Sequence, residues 1–503
     1  MVEGRAYPIL STILKYLSGI FFATMLAANL IKADREMIWT GLFFVLCVIM
    51  VFLLYRIILR FLGKRKNYRI LAAGGILFVL AQIAVMLLIS TTMEWDPGTV
   101  ITMAGQWARG DALFWPEYFG YSPNNLILLI FFRLIFSVTS LFTGYMGDIL
   151  AAILVNIIVV DLSVFLMVCC AGKMYGKRGQ AAALAIGILT IGISPWLCVP
   201  YSDTLGMIFP VLLLFLYLYG IKEGRHTAWT CVLMGASTAV GYMIKPHVVI
   251  ILIAIIIVDF FSDLRNSERL RAWGRRLLIT LLSLTIVFAG VDRLSCYASR
   301  NIISDEMREE KLPFTHFIMM GLNEVTYGSF YSEDSNATHG IHGEENKKEY
   351  NKKVIKERLQ EYGPGGYLRF LGIKVTRIYT DGTFNFDTEG DFSENVKIFD
   401  LAPAKALQEI YHIDGKYYAV SSSFFNSMWL MLLAAIALAG LLPDKQGNRE
   451  IDVLRLTIAG LTVFLLLVEG RARYLYHLLP VFILLAVYGM LLLSNVKRGF
   501  KKG

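Results

Sequence analysis

The chain is poor in charge and in cysteine, and it lacks the motifs of a soluble nucleotide site. Only 17% of its 503 residues are Asp, Glu, Lys or Arg, against 56% that are hydrophobic. So little charge excludes an ordinary water-soluble domain. The six cysteines (Cys47, Cys169, Cys170, Cys198, Cys231 and Cys296) lie mostly inside apolar runs, with no metal-type spacing. They read as small core residues and exclude a disulfide scaffold. There is no Walker A motif, no Rossmann glycine fingerprint and no G-x-S-x-G elbow, so a soluble ATP or nucleotide-sugar site is unsupported. His339 and His342 stand at a spacing that can bind metal. Without a nearby cysteine or an H-E-x-x-H pattern they read as solvated loop. The first apolar run is not followed by a small-residue cleavage site, so it reads as a retained span.

What is present is apolar length. Mean hydropathy is +0.57, and thirteen apolar segments recur, near 8–31, 37–62, 70–91, 122–143, 145–172, 180–197, 204–221, 227–244, 247–262, 276–295, 424–442, 453–469 and 474–494. Runs of this length imply an all-α polytopic membrane protein. The net charge of +9 sits in short basic clusters between these runs, which is topology information and not a nucleic-acid surface. The clusters are Arg60, Lys64, Arg65, Lys66 and Arg69; Lys173, Lys177 and Arg178; Lys222 and Arg225; Arg265, Arg269, Arg271, Arg275 and Arg276; and Lys497, Arg498, Lys501 and Lys502. The positive-inside rule puts them in the cytoplasm, with loop 92–121 and the polar region 296–423 outside. Two apolar segments separate that loop from the Lys173 cluster, where an odd number of crossings is needed. Segment 122–143 is the one expected not to cross, because Pro123 opens it and Arg133 sits in its middle. About twelve spans remain, both termini are cytoplasmic, and a re-entrant or juxtamembrane helix is added. The chain then divides into a membrane module over 1–295, an outer region over 296–423 and closing helices over 424–503. Within the outer region, 346–363 reads as a charged helix ended by Gly363-Pro364, and 367–379 as an amphipathic stretch along the outer membrane face.

The stretch Thr91–Asn125 organises the rest. It carries Glu94, Asp96, Asp111 and Glu117 between two apolar runs, where unpaired charge is costly. Three further features converge on the same side. Asp203, in Pro200-Tyr201-Ser202-Asp203-Thr204, reads both as a helix cap and as a functional carboxylate. Lys245-Pro246 breaks two apolar runs, and its lysine either snorkels to the interface or binds a phosphate. Glu469, Arg471, Arg473 and Tyr474 at the end of a span suit a phosphate or diphosphate group. The bland alternative there is a salt bridge with interfacial anchoring.

The acidic loop, KMYGKRG (173–179), PYSDTLGM, the Lys-Pro break and the closing EGRARYLYHLLPVFILLAVYG together resemble the GT-C superfamily. These are multi-span glycosyltransferases that use polyprenyl-phosphate sugars. The likeness is to bacterial relatives of protein mannosyltransferases and lipid A aminoarabinose transferases. The resemblance implies that Asp96, or less well Glu94, is the general base for an acceptor hydroxyl. It implies that Asp203, Lys245, Glu469, Arg471, Arg473 and Tyr474 bind substrate, with the cations meeting the leaving phosphate. Some members use a divalent metal, Mg or Mn; Asp96, Asp203 and Glu94 are the ligands such an ion would take, and the sequence leaves it open. The implied partners are a polyprenyl-phosphate sugar donor, a cell-envelope acceptor and the lipid bilayer. Two spans more than usual precede the loop, and the family's His-Pro-Pro-Leu is here Ser122-Pro123-Asn124-Asn125. The rival readings are a transporter or flippase of lipid-linked sugars, using Arg133, Asp148 and Asp161, and an envelope polysaccharide polymerase or ligase.

Overall fold

A computed structural model describes residues 6–36, 40–62, 68–139, 144–221, 227–386, 397–444 and 448–500. Among these the chain is helical, and the one β contact is an isolated bridge between Thr91 and Lys397. Lipid offers backbone N–H and C=O groups no partner, so apolar runs resolve as helices that bond internally. Nine helices among the described residues are long and apolar enough to cross a membrane. Of the basic residues, Lys64, Arg65, Lys66, Lys222, Arg225 and the side chains of Lys497, Arg498, Lys501 and Lys502 lie outside the described set.

The bundle has two faces, fixed by polar contacts at the helix ends. The first helix, Ala6–Glu36, starts where Tyr7 donates to Asp452 (2.9 Å) and Lys15 pairs with Asp444 (2.6 Å). Its other half meets Tyr379: Phe21 packs edge-on at 5.2 Å and Asn29 donates to the Tyr379 carbonyl at 2.9 Å. Asp96 belongs to the Tyr379 face. On the opposite face Asp263 accepts from Arg276 (3.2 Å) and Arg449 (2.9 Å), so the ends of three helices are riveted together.

The helical stretch Tyr145–Gly187 reverses direction at Gly176, whose φ of 68° and ψ of −166° break the helix. A residue with a β-carbon resists that conformation. The two arms then run antiparallel. A Cβ on Gly187 would meet Met167 and Val164, and one on Gly172 would meet Gln180. The first arm begins beside the far end of the Asp96 helix, where Asp148 in its first turn pairs with Arg109 at 2.5 Å.

That contact decides the neighbouring segment. The helix Leu126–Thr139 starts beside the Asp96 loop and ends just before Tyr145, on the same face. It packs along Trp95–Arg109, with the Arg133 guanidinium 4.2 Å from the Trp107 ring centre. Fourteen residues reach about 21 Å, short of the roughly 30 Å of a hydrocarbon core.

The polar region differs from expectation in two places. The preceding helix runs to Ser299, a turn beyond 295, and the first closing helix starts at Tyr418, earlier than 424. The helix Glu344–Tyr379 is broken at Gly363 as its sequence indicates. Its second half does not simply lie along the surface. Leu368 is exposed, but Phe370, Lys374, Ile378 and Tyr379 are buried against the bundle. A surface face and a docking face share one amphipathic pattern, and the docking face wins here.

Cysteines introduced at Asn124 and Gly144, both exposed, are expected to react with an impermeant thiol reagent from the same side. One at Lys177 should react only from the other side. Labelling of Asn124→Cys and Gly144→Cys from opposite sides would mean that the segment between them crosses.

Candidate functional site

Asp96 sits in the first turn of the helix Trp95–Arg109, where the helix dipole favours a carboxylate. The entry to this turn is tight. A Cβ on Gly98 would lie 2.0 Å from the Met93 carbonyl oxygen, so only glycine lets the chain fold back so closely. Both Asp96 oxygens are held by phenols: Tyr118 donates to Oδ1 at 2.6 Å and Tyr201 lies 3.0 Å from Oδ2. Asn125 joins them. Its amide donates to the Tyr118 hydroxyl (2.5 Å), and its Oδ1 is 3.2 Å from that of Tyr201. Burial, and then the Asp96 charge, push both phenols far above the ordinary tyrosine range. They stay protonated and remain donors. Asp96 itself is half-buried, open on one side.

Glu94 stands outside this network. It is exposed, precedes the helix and makes no side-chain cap bond. Trp95, between the two acids, takes a positive φ of 55°, and this turn separates Glu94 from the Asp96 network.

Tyr201 leads to the cations. It opens the short helix Ser202–Leu205, where Thr204 supplies the cap by accepting from the Tyr201 amide at 3.2 Å. Asp203 is therefore not the cap. It is fully buried and pairs with Lys245 at 2.5 Å. Lys245 is 5% exposed, so it does not snorkel; the Pro246 break delivers it inward. Its ammonium lies 4.7 Å from the Tyr474 ring centre, and the Arg473 guanidinium 5.1 Å from the same ring. Arg473 is also 6.0 Å from the Tyr201 ring. Asp96, Tyr201, Arg473, Tyr474, Lys245 and Asp203 thus form one connected constellation. Behind it is His477, fully buried, 5.4 Å from the ring of His247. Among the described residues Asp203 Oδ2 has no hydrogen-bond partner.

Glu469 and Arg471 complete the loop. Glu469 accepts from the Tyr474 hydroxyl at 3.1 Å and lies 3.2 Å from Arg471 Nε. The loop is held from outside by Lys374, which is fully buried. Its ammonium donates to the carbonyls of Val468 (2.6 Å), Gly321 (2.7 Å) and Leu466 (3.2 Å). A cation on the last carbonyls of Arg449–Leu467 complements the helix terminus. Burial pulls the Lys374 pKa down to about 7.

The structure therefore gathers Asp96, Asp203, Lys245, Glu469, Arg471, Arg473 and Tyr474, and leaves Glu94 aside. Sequence reasoning missed Tyr118, Asn125, His477 and Lys374. Asn124-Asn125 at the mouth of an apolar helix was a usable signal; Lys374 was hidden among basic residues that read as surface. The three carboxylates do not fit a divalent ion. Lys245 holds one oxygen of Asp203, phenols hold both of Asp96, and Glu94 is exposed. Among the described residues no group of three His, Cys, Asp or Glu side chains converges at all. Asp148 pairs with Arg109, Asp161 is 3.2 Å from Gln82, and Arg133 stacks on Trp107, so these three stand apart. His342 is exposed, as expected of solvated loop, but His339 bonds to the Ser335 carbonyl at 2.7 Å and packs on Tyr121.

Helices of spanning length and charges gathered at one end of the bundle define an integral membrane protein of many spans. The chain belongs to a family described as conserved hypothetical integral membrane proteins, whose model matches residues 7–491. No curated protein and no solved structure matches it.

Lys245→Met strands the buried Asp203 carboxylate and is expected to cost about 3–5 kcal/mol. Adding Asp203→Asn should restore much of the loss in thermal unfolding of the solubilised protein. A double variant no more stable than the single one would sink the pairing. Lys374→Met leaves three buried carbonyls without their donor, at about 1–3 kcal/mol for each group left unsatisfied. Its unfolding midpoint should fall by several degrees, and an unchanged midpoint would remove Lys374 from its clamping role.

Proposed function

We propose that this protein is a GT-C-type glycosyltransferase. It moves a sugar from a polyprenyl-phosphate donor to an extracytoplasmic cell-envelope acceptor. The observation that carries this reading is the Tyr201 bridge: a half-buried carboxylate on one side of its ring system and an arginine on the other. Sugar transfer from a lipid phosphate needs a base and a cation at that kind of separation. The acceptor hydroxyl gives its proton to Asp96 as its oxygen bonds to the anomeric carbon. The bond from that carbon to the phosphate oxygen breaks, and the phosphate leaves with the electron pair. Arg473 and Arg471 meet the growing charge, with Lys245 behind them. Tyr118 and Tyr201 orient the carboxylate, and Asp203 holds Lys245. No metal takes part in this scheme.

The topology supports it. In this reading the nine apolar helices, one of them doubled by the reversal at Gly176, are joined by Arg449–Leu467 and the apolar Leu479–Asn495 as crossings, twelve in number. The Lys173 and Arg265–Arg276 clusters stand at the face opposite Asp96, and the positive-inside rule supports reading that face as cytoplasmic and the Asp96 face as extracytoplasmic. Both termini then lie in the cytoplasm. A transport path through the bilayer is disfavoured, because Arg133, Asp148 and Asp161 each have local partners. A polymerase built on outer-loop histidines is disfavoured too. His316 is buried against Thr338 (3.0 Å), and burial lowers its pKa to about 4.

The purified protein is expected to transfer radiolabelled sugar from polyprenyl-phosphate donors to envelope lipid acceptors. Asp96→Asn should fold normally and lose at least about 100-fold in rate, the scale of a lost general base. Full activity in that variant would discard Asp96 as the base. No transfer from any donor by the wild type would bring the transporter forward.

A further inference from the structure

Beside Asp96, on the outer flank of the same helix, runs an open groove of about 500 Å³. Its volume falls within the roughly 300–1,000 Å³ typical of small-molecule sites. Trp95, Thr99, Thr102 and Gln106 line it from the helix, one helical face apart, with Glu94 before them and Phe114 across. The lining alternates aromatic surface with hydroxyl, amide and carboxylate groups. A sugar ring presents the complementary chemistry: an apolar face of C–H bonds rimmed by hydroxyls. Indole rings supply broad contact to such a face, and amide and carboxylate oxygens accept from the rim.

Trp95 is the most telling member. It is 61% exposed and holds a positive φ of 55°. Bulky side chains avoid that backbone region, and such outliers persist where the surroundings enforce them, often at ligand sites. Here the turn presents the indole to the groove and, at the next residue, the carboxylate to the Tyr118–Tyr201 network. A lipid anchor would explain an exposed tryptophan but would not need the polar row of Thr99, Thr102, Gln106 and Glu94 beside it.

We propose that this groove is a glycan-binding subsite for the acceptor, with Trp95 as its stacking platform. This rests on the glycosyltransferase reading for the word acceptor; the binding of a glycan does not. Trp95 is the residue next to Asp96 in the first turn of this helix, so a ring stacked on it is held close to the carboxylate.

The test is glycan binding by the full-length protein in nanodiscs, measured by calorimetry with maltotriose, mannotriose and chitotriose. At least one is expected to bind, Trp95→Ala to weaken it tenfold or more, and Gln106→Ala by several-fold. Trp95→Phe should keep most of the affinity. Trp229→Ala, an exposed tryptophan at the start of another helix, should change nothing. Binding by none of the three glycans, or unchanged binding by a folded Trp95→Ala, overturns the subsite. Quenching of Trp95 by acyl-chain brominated lipids, unaffected by glycan, also overturns it and makes Trp95 an anchor. If Asp96→Asn keeps full transferase activity while Trp95→Ala loses glycan, the groove stands and the catalytic assignment falls.

Discussion

The ion pair between Asp203 and Lys245 is the constraint around which the polar end of the bundle is arranged. Both groups are almost wholly removed from solvent. A lone charge in that position would cost several kcal/mol or more, and only a well-placed partner offsets it. The partners come from different helices, one opening at Ser202 and the other broken at Pro246. Their meeting therefore fixes how far each helix end penetrates. Tyr474 then lies over the ammonium, Arg473 over Tyr474, and Tyr201, two residues before Asp203, turns its hydroxyl to Asp96. Geometry at Asp96 is thus set in part by a contact that Asp96 does not make.

The two faces of the bundle use charge differently. On the face away from Asp96, carboxylates are met by several donors each: Asp444 by Lys15, Arg455 and Tyr488, and Asp263 by Arg276 and Arg449. Such clusters hold helix ends in register. On the Asp96 face the charges form a chain of single contacts instead, from Asp203 to Lys245 and through Tyr474 to Arg473.

Much of this was legible in the sequence, for reasons that can be named. The reversal at Gly176 was visible because the basic stretch KMYGKRG interrupts an apolar run. The shortness of the helix at Leu126–Thr139 went with Arg133 at the centre of its apolar segment, where a spanning helix pays most. The charged residues of the closing loop were visible as an excess over what anchoring needs. The pairings were not. Asp203 and Lys245 are separated by a complete helix hairpin, and no periodicity relates them. Lys374 was read as surface because an amphipathic pattern does not say whether its apolar face meets lipid or protein. Glu94 looked equivalent to Asp96 because proximity in sequence was counted, while the strained turn at Trp95 that separates the two acids leaves no compositional trace.

The segment that turns back also explains why the site can exist where it does. Had Leu126–Thr139 crossed the bundle, its polar leader would still have started near Asp96, but the next helix would have begun on the far side. Asp148 could not then have reached Arg109, and the Asp96 helix would have lost its anchor at the end distant from the carboxylate. By returning, the segment pins both ends of Trp95–Arg109: Asn125 and Tyr118 at the first turn, Asp148 at the last. A short helix in a loop is ordinarily among the most mobile parts of a membrane protein. Tied at both ends and flanked along its length, this one can hold a carboxylate in a fixed position at the edge of the bundle.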